Sequence, residues 1–569
     1  MSVPGRLLAR AADPAIALGL GVAYVALLLG TSSDLGYARD EGFYFQAARS
    51  YGAWLDILLT NPQEALSRAV VDRYWAANNE HPALIKTLFA LSHRYLFEKW
   101  QWFSTAGTAF RFPGMVLSGV AVAVTYAWGA RAIGRLAGVV AAVLFAMMPR
   151  IFYHAHLDCF DLPVAAMWLL TSYAFWRSLD RGLGWAILTG VLYGLLLNTK
   201  HNSWLLPPAL VAWFVIVRGQ GLWRNFRVGR LAIPTSLLTM ATIGPVVFYL
   251  LWPWIWNDTG RRLAAYVAFH MHHDYYNMEF LGRTYWKPPM PRGYAWLMTA
   301  ATVPAVTLLL FVVGLSDSAR HALSTRYRSW SQRVLGWLGR SLPPRAAASA
   351  EERQRFSTDV LWLLCILTSY APWFSKNTPI FGGTKHWITA YPFMCLFAAR
   401  AFVLVCEHAS RSWPRLRQGI LRHALGGGLA ATVLAAPVAI TLESHPWGLS
   451  AYTPLVGGAP GAATLGLNRT FWGYTTGSLA PYLNEHARPG APVFIHDTAM
   501  QSWTQMVADG MLRSDLRGAW TIESSDLAVY HHEPHMRRVE QQIWMAYGTS
   551  SPAHVGTHHG VPVAWLYRR

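Results

Sequence analysis

Charge is scarce in this chain. Charged residues make up 14% of its 569 residues, against 53% hydrophobic. A soluble domain carries about 25% charged residues, so the composition excludes an ordinary water-soluble globule. Cysteine is scarce as well. Of four cysteines, Cys365, Cys395 and Cys406 lie in or beside apolar runs and Cys159 stands alone, which excludes a disulfide framework. There is no internal repeat and no long disordered tract; the Pro/Ala/Arg stretch 340–355 reads as a linker. No small-x-small cleavage site follows the first apolar run, so Arg6 and Arg10 are expected to precede an uncleaved first helix rather than a removable signal.

What the chain has instead is apolar runs near the ~20 residues that cross a bilayer. The sequence predicts an all-α polytopic membrane protein with about eleven spans, near 14–31, 111–130, 136–152, 161–178, 183–199, 203–218, 231–255, 294–315, 358–374, 386–406 and 425–441. The net charge of +19 would suggest nucleic acid in a soluble protein. Here its distribution follows the membrane. With the N-terminus inside, the inner segments hold Arg6, Arg10, Arg131, Arg135, Arg177, Arg181, Arg218, Arg224, Arg227 and Arg230. The loop 316–357 and the last inner loop, with Arg411, Arg415, Arg417 and Arg422, are equally basic. Alternate loops are therefore cytoplasmic, and no nucleic-acid partner is expected. The expected place is the inner (plasma) membrane, with residues 442–569 outside it.

The outer side has a different chemistry. The loop 32–110 contains two amphipathic stretches, Glu41–Leu59 and His81–Phe97, expected as helices lying in the membrane interface. The tail shows short alternating stretches at Ala491–His496 and Gly560–Tyr567, separated by helical sequence. This predicts a transmembrane domain over 1–441 and a small α/β domain over 442–569.

The polar residues worth explaining all fall on that outer side. Asp40 and Glu41 stand just past the first span. Carboxylates there can take a proton from an acceptor hydroxyl, or can simply cap the following helix. Glu80 and His81-Pro82 open the second amphipathic stretch; Lys86 within it could snorkel to headgroups. At the entrance of the fourth span, Asp161 suits an N-cap, but Asp158, His154 and His156 exceed what capping demands. Lys200-His201 and Lys385-His386 end and begin spans at the level of a lipid phosphate, where they could bind it or only anchor helices. His270, His272 and His273 follow the seventh span. They read equally as metal ligands, with Glu80, or as proton-shuttling and phosphate-binding groups.

In order, these segments resemble the protein O-mannosyltransferase family, glycosyltransferase family 39, especially its bacterial members. More distantly they resemble the lipid A aminoarabinose transferases. The matching pieces are Arg39-Asp40-Glu41, Glu80-His81-Pro82-Ala83-Leu84, Asp158 to Pro163 and Thr199-Lys200. Trp252-Pro253-Trp254, Phe269 to His273, Tyr275-Tyr276-Asn277, Leu281-Gly282, His445-Pro446, Leu455 to Gly458 and Tyr474 continue the likeness to about residue 480. Ala83 stands where the family often has a second proline, Lys385-His386-Trp387 replaces a more usual Arg-Tyr pair, and no β-trefoil module is visible. The resemblance implies the GT-C fold, a polyprenyl-phosphate-linked sugar donor and an Asp matching Asp40 as catalytic base.

The expectation is an inverting glycosyltransferase, moving a hexose or pentose to a protein, lipid or glycan acceptor. Asp40 and Glu41 are its catalytic candidates. Glu80, His81, Asp158, Asp161, Lys200, His201, His270, Lys385 and His386 are its substrate- or phosphate-binding candidates. No cofactor is expected to be required; a divalent metal on His270, His272 and Glu80 is the alternative. The rival readings are a transporter, which would bury its charges at mid-membrane in repeated halves, and a non-catalytic envelope scaffold.

Overall fold

The structure, a computed structural model, describes residues 3–227, 233–337, 349–413 and 419–569. Arg230, Arg340, Arg345, Arg415 and Arg417, counted above toward the inner face, lie outside the described residues, as does 340–348 of the expected linker. The rest of that linker is helical: Ser349 and Glu352 cap each other's backbone N–H at the start of Ala350–Tyr370.

A helix stands at each predicted span. Among the described residues, five are long and apolar enough to cross a membrane: Ala12–Asp34, Ala106–Ala132, Ala305–Ser324, Ile388–Ser412 and Leu421–Ser444. The chain is a multi-pass membrane protein. The run predicted at 136–152 is two helices, Arg135–Ala146 and Pro149–Ala155, meeting at 74°. Pro149 cannot continue the preceding hydrogen-bond ladder, so it begins a new helix. Pro304 divides 294–315 in the same way, into Tyr294–Thr302 and Ala305–Trp337. Leu183–Leu197 and Thr235–Leu250 are shorter apolar helices. They pack backbone to backbone: a Cβ on Gly190 would meet the Thr239 carbonyl at 2.6 Å, and one on Gly194 the Gly244 carbonyl at 2.7 Å.

The segments expected on the outer side build a second layer. Of the two stretches expected in the interface, the first is Arg39–Thr60 and the second Leu84–Ser92, continued as a π-helix to Lys99. Arg39–Thr60 buries Phe45, Ala48 and Tyr51 in a core shared with Trp472, Leu479, Trp503 and Leu566 of the tail. The tail itself carries five strands, β3 (Pro492–Phe494), β4 (Arg517–Ala519), β5 (Leu527–His531), β6 (His554–His558) and β7 (Val561–Arg568), in the order β4-β3-β5-β7-β6. β3 runs parallel to β4 and β5, while β7 runs antiparallel to β5 and β6. An additional hairpin, β1 (Met278–Phe280) with β2 (Arg283–Tyr285), lies within 256–293.

Tail and membrane helices are stitched together at defined points. The Asp509 carboxylate accepts the backbone N–H groups of Ala106 (3.0 Å) and Gly107 (3.1 Å), capping the helix Ala106–Ala132 from a distant part of the chain. Ser502 donates to the Ala38 carbonyl at 2.9 Å. Gly42 makes that approach possible, since a Cβ there would lie 2.6 Å from the Ser502 hydroxyl.

Candidate active site

Between the two layers lies a cavity of about 500 Å³. Asp40, Glu80, His81, Asp161, Lys200, His201, His270, Lys385 and His386 all line it, so nine of the candidates, from six separate parts of the sequence, meet at one place. Glu41, Asp158 and His272 do not line it.

Asp40 is the second residue of Arg39–Thr60. Successive helical residues diverge by about 100°, which sends Asp40 to the cavity and Glu41 into the core. Glu41 is fully buried. Its carboxylate accepts from Arg111 (Nε 2.7 Å, Nη2 2.9 Å), from the Ala38 N–H (2.8 Å) and from the Asp158 N–H (3.0 Å). Arg111 also donates to the Gly36 carbonyl at 2.7 Å. Glu41 is thus a clamp between the loop after the first helix, the helix Ala106–Ala132 and the loop before Asp161. The Asp158 carboxyl is buried with no hydrogen-bond partner; burial, reinforced by Glu41, pushes it well above the usual carboxylate range.

The cavity has a cationic side. Lys200 pairs with Asp161 at 2.7 Å, and buried His154 approaches the same carboxylate at 3.5 Å. Lys385 stands 3.7 Å from Asp40 and 3.9 Å from the centre of the Trp472 ring. Burial lowers its pKa, opposed by Asp40 and Asp161. Arg150, from the broken helix pair, lines the cavity with its Nε and Nη2 buried and unbonded. Sequence reasoning missed Arg150, which sits inside the run read as a plain span. An arginine within an apolar run was the available signal.

The histidines form a neutral wall. His201 stacks on His270 with centroids 3.9 Å apart, and His270 bonds the Glu80 carbonyl at 2.9 Å. Burial holds His81 and His201 well below the usual imidazole range and His270 at about 4. His386 bonds the Phe381 carbonyl, and the Glu80 side chain accepts from Asn78 at 2.6 Å. His272 turns to its own helix, bonding the Ala268 carbonyl at 3.2 Å. Among the described residues no three His, Cys, Asp or Glu side chains are placed to hold a metal ion, so His270, His272 and Glu80 do not form the ligand set that the metal alternative needs. Lys86 does not reach headgroups either. It is fully buried, donates to the Asn78 (2.5 Å) and His81 (2.9 Å) carbonyls, and burial lowers its pKa to about 7.

The tail closes the cavity with residues that carried no sequence signal: Asp497, Glu533 and His535. Asn277 of the loop 256–293 donates to Glu533 at 3.3 Å, and His535 bonds Glu279 at 3.1 Å. Burial, then Asp497, push the Glu533 carboxyl up to about 9.

Residues 87–256, less than a third of the chain, match the sequence model of the dolichyl-phosphate-mannose-protein mannosyltransferase family. The family read from the motifs is therefore the one whose pattern this segment carries. A search of curated proteins gave no match. Among solved structures, ArnT from Cupriavidus metallidurans bound to undecaprenyl phosphate aligns at 15% identity over 96% of this chain and 97% of that one, with a TM-score of 0.45. The Archaeoglobus fulgidus oligosaccharyltransferase tethered to an acceptor peptide aligns at 11% identity over 93% and 71%, with a TM-score of 0.47. The AglB protein of the same organism, in complex with an inhibitory peptide and a dolichol-phosphate, aligns at 10% over 93% and 71%, also at 0.47.

Proposed function

We propose that this chain is a membrane glycosyltransferase that moves a sugar from a polyprenyl-phosphate donor to an acceptor on the outer side, with inversion. One observation carries the reading: the carboxylate of Asp40 shares a cavity with the cations Lys385 and Arg150. The family pattern over residues 87–256 supports it. In this reading the donor phosphate lies against Lys385 and Arg150, and the sugar lies toward Asp40. Asp40 takes the proton of the acceptor hydroxyl as its oxygen bonds the anomeric carbon. The bond from that carbon to the phosphate oxygen breaks on the opposite face, and its electron pair leaves with the polyprenyl phosphate. Fixed cations aimed at the developing charge lower the barrier.

In this reading the protein sits in the inner membrane with its N-terminus in the cytoplasm and the cavity and 442–569 outside, an orientation that the basic loops support. An engineered cysteine in the tail should react with an impermeant reagent in intact spheroplasts. Reaction only after lysis would reverse the topology. The activity test is incubation of the purified protein with radiolabelled polyprenyl-phosphate sugars and envelope extract. Label entering a protein, lipid or glycan fraction identifies the acceptor class; no labelled fraction with any donor defeats the reading. Since the cations Lys385 and Arg150 meet the phosphate, turnover is expected to persist in chelator. Its complete loss, restored by one metal, would assign the phosphate to a metal instead.

A further inference from the structure

Arg39 stands between two carboxylates and is held unequally. Its Nη1 lies 2.5 Å from the Asp497 Oδ1, while its Nε is 3.7 Å from Asp40. Asp497 belongs to the loop between β3 and the helix Met500–Ala508, and its side chain is 5% exposed. The loop is fixed from several sides. Asp497 has a left-handed backbone (φ 53°), and Gly473 (φ 60°) packs against its carbonyl, where a Cβ would come within 1.9 Å. The neighbouring Trp472 carbonyl accepts the Arg39 N–H at 2.8 Å, and Ser502 holds the Ala38 carbonyl. The outer domain thus grips the backbone on the N-terminal side of Asp40 and, through Asp497, the side chain beside it.

We propose that Asp497 is a positioning residue for Asp40: it draws the Arg39 guanidinium aside and leaves the Asp40 carboxylate free toward the cavity. This rests on the glycosyltransferase reading above. A guanidinium prefers a close, two-pronged pairing with a carboxylate. Without Asp497, Arg39 is left with Asp40 as its nearest anion and closes onto it, occupying the oxygens that must take the acceptor proton. The other groups facing Arg39 are Glu533 and the Tyr276 phenol, and Lys385 meets Asp40 from another element. Glu533 faces Arg39 from farther away: the ion-pair partners of Arg39 are Asp497 and Asp40.

The test uses full-length protein and a donor that the wild type transfers. Asp497→Asn keeps the left-handed backbone, which Asn tolerates, and removes the charge. Expected are a kcat lowered roughly ten- to a hundred-fold, an unchanged donor KM and an unchanged Tm. The distinguishing readout is the double variant. Arg39→Gln/Asp497→Asn should turn over faster than Asp497→Asn alone, because the arginine that blocks Asp40 is gone. A wild-type kcat in Asp497→Asn, or a double variant slower than both singles, overturns the proposal. Should Asp497→Asn not fold, Asp497→Gly accepts the left-handed backbone without strain and is read by the same two outcomes. Failure of the wild type to transfer from any polyprenyl-phosphate sugar defeats the glycosyltransferase reading, and this inference with it.

Discussion

Asp40 is set apart from the acids nearby by how loosely it is held. Asp161 is tied to Lys200 at 2.7 Å and Glu41 to Arg111 at 2.7 Å, whereas the ion-pair contacts of Asp40, to Arg39 and Lys385, are both 3.7 Å. A base must have unoccupied oxygens, and Asp40 has cations near it but none closer than 3.7 Å. General-base assistance is worth about 10²–10⁴-fold. Asp40→Asn should therefore lower kcat by about that factor and leave donor binding intact, measured by steady-state kinetics beside direct donor titration. Normal turnover in Asp40→Asn would remove it from the mechanism. The phosphate side yields a second expectation. A charge-assisted hydrogen bond contributes about 1.5–3 kcal/mol, so Lys385→Ala and Arg150→Ala should each weaken donor affinity roughly ten- to a hundred-fold. Lys200→Ala should act differently, because it strands the Asp161 carboxylate beside His154. Equal donor affinity in wild type, Lys385→Ala and Arg150→Ala would take the phosphate away from this wall.

Elements, more than residues, explain why the site forms. The N-terminus of Arg39–Thr60 is fixed by Glu41, whose partner Arg111 lies on Ala106–Ala132 and also binds the Gly36 carbonyl. Removing one partner of a buried ion pair costs about 3–5 kcal/mol, because the other charge stays buried and alone. Arg111→Met should lower the Tm sharply and reduce activity through loss of folded protein, as judged by thermal denaturation in detergent. A Tm within a degree or two of wild type would show the clamp to be dispensable. The helices were legible in the sequence because apolar runs of bilayer length have few alternatives. Their breaks were less legible. Pro149 and Pro304 sit inside continuous hydropathy, which averages over the single residue that divides it. The same averaging hid Arg150. Glu41 was ambiguous for another reason: sequence places it beside Asp40, and only its turn into the core and the distant Arg111 separate their roles. Asp497 and Glu533 could not be read at all, because their meeting with Arg39 depends on how the tail docks.

At the scale of the whole molecule, burial of histidine couples the fold to pH. His81, His201 and His270 line the cavity, and His496, His532 and His558 lie in the tail. Burial is the leading cause in every case, holding His270, His532 and His558 at about 4, His496 at about 3, and His81 and His201 well below the usual imidazole range. An unfolded histidine titrates near 6.5. Between these values the unfolded chain binds protons that the native protein refuses, and stability must fall as pH falls. At pH 7 and above both states are neutral at these positions, so they contribute no slope there. The Tm in detergent should therefore be nearly flat in this respect above about pH 7 and drop steadily from about pH 6.5 toward pH 4. The two groups can be separated. His558→Gln, in the tail, should flatten part of the acid slope without touching donor affinity, because His558 lies outside the cavity. A Tm that stays level from pH 7 to pH 4.5 would mean that these imidazoles are protonated in the folded state and that the neutral wall beside Asp40 does not exist as described; an acid slope that His558→Gln leaves unchanged would remove His558 alone from this account.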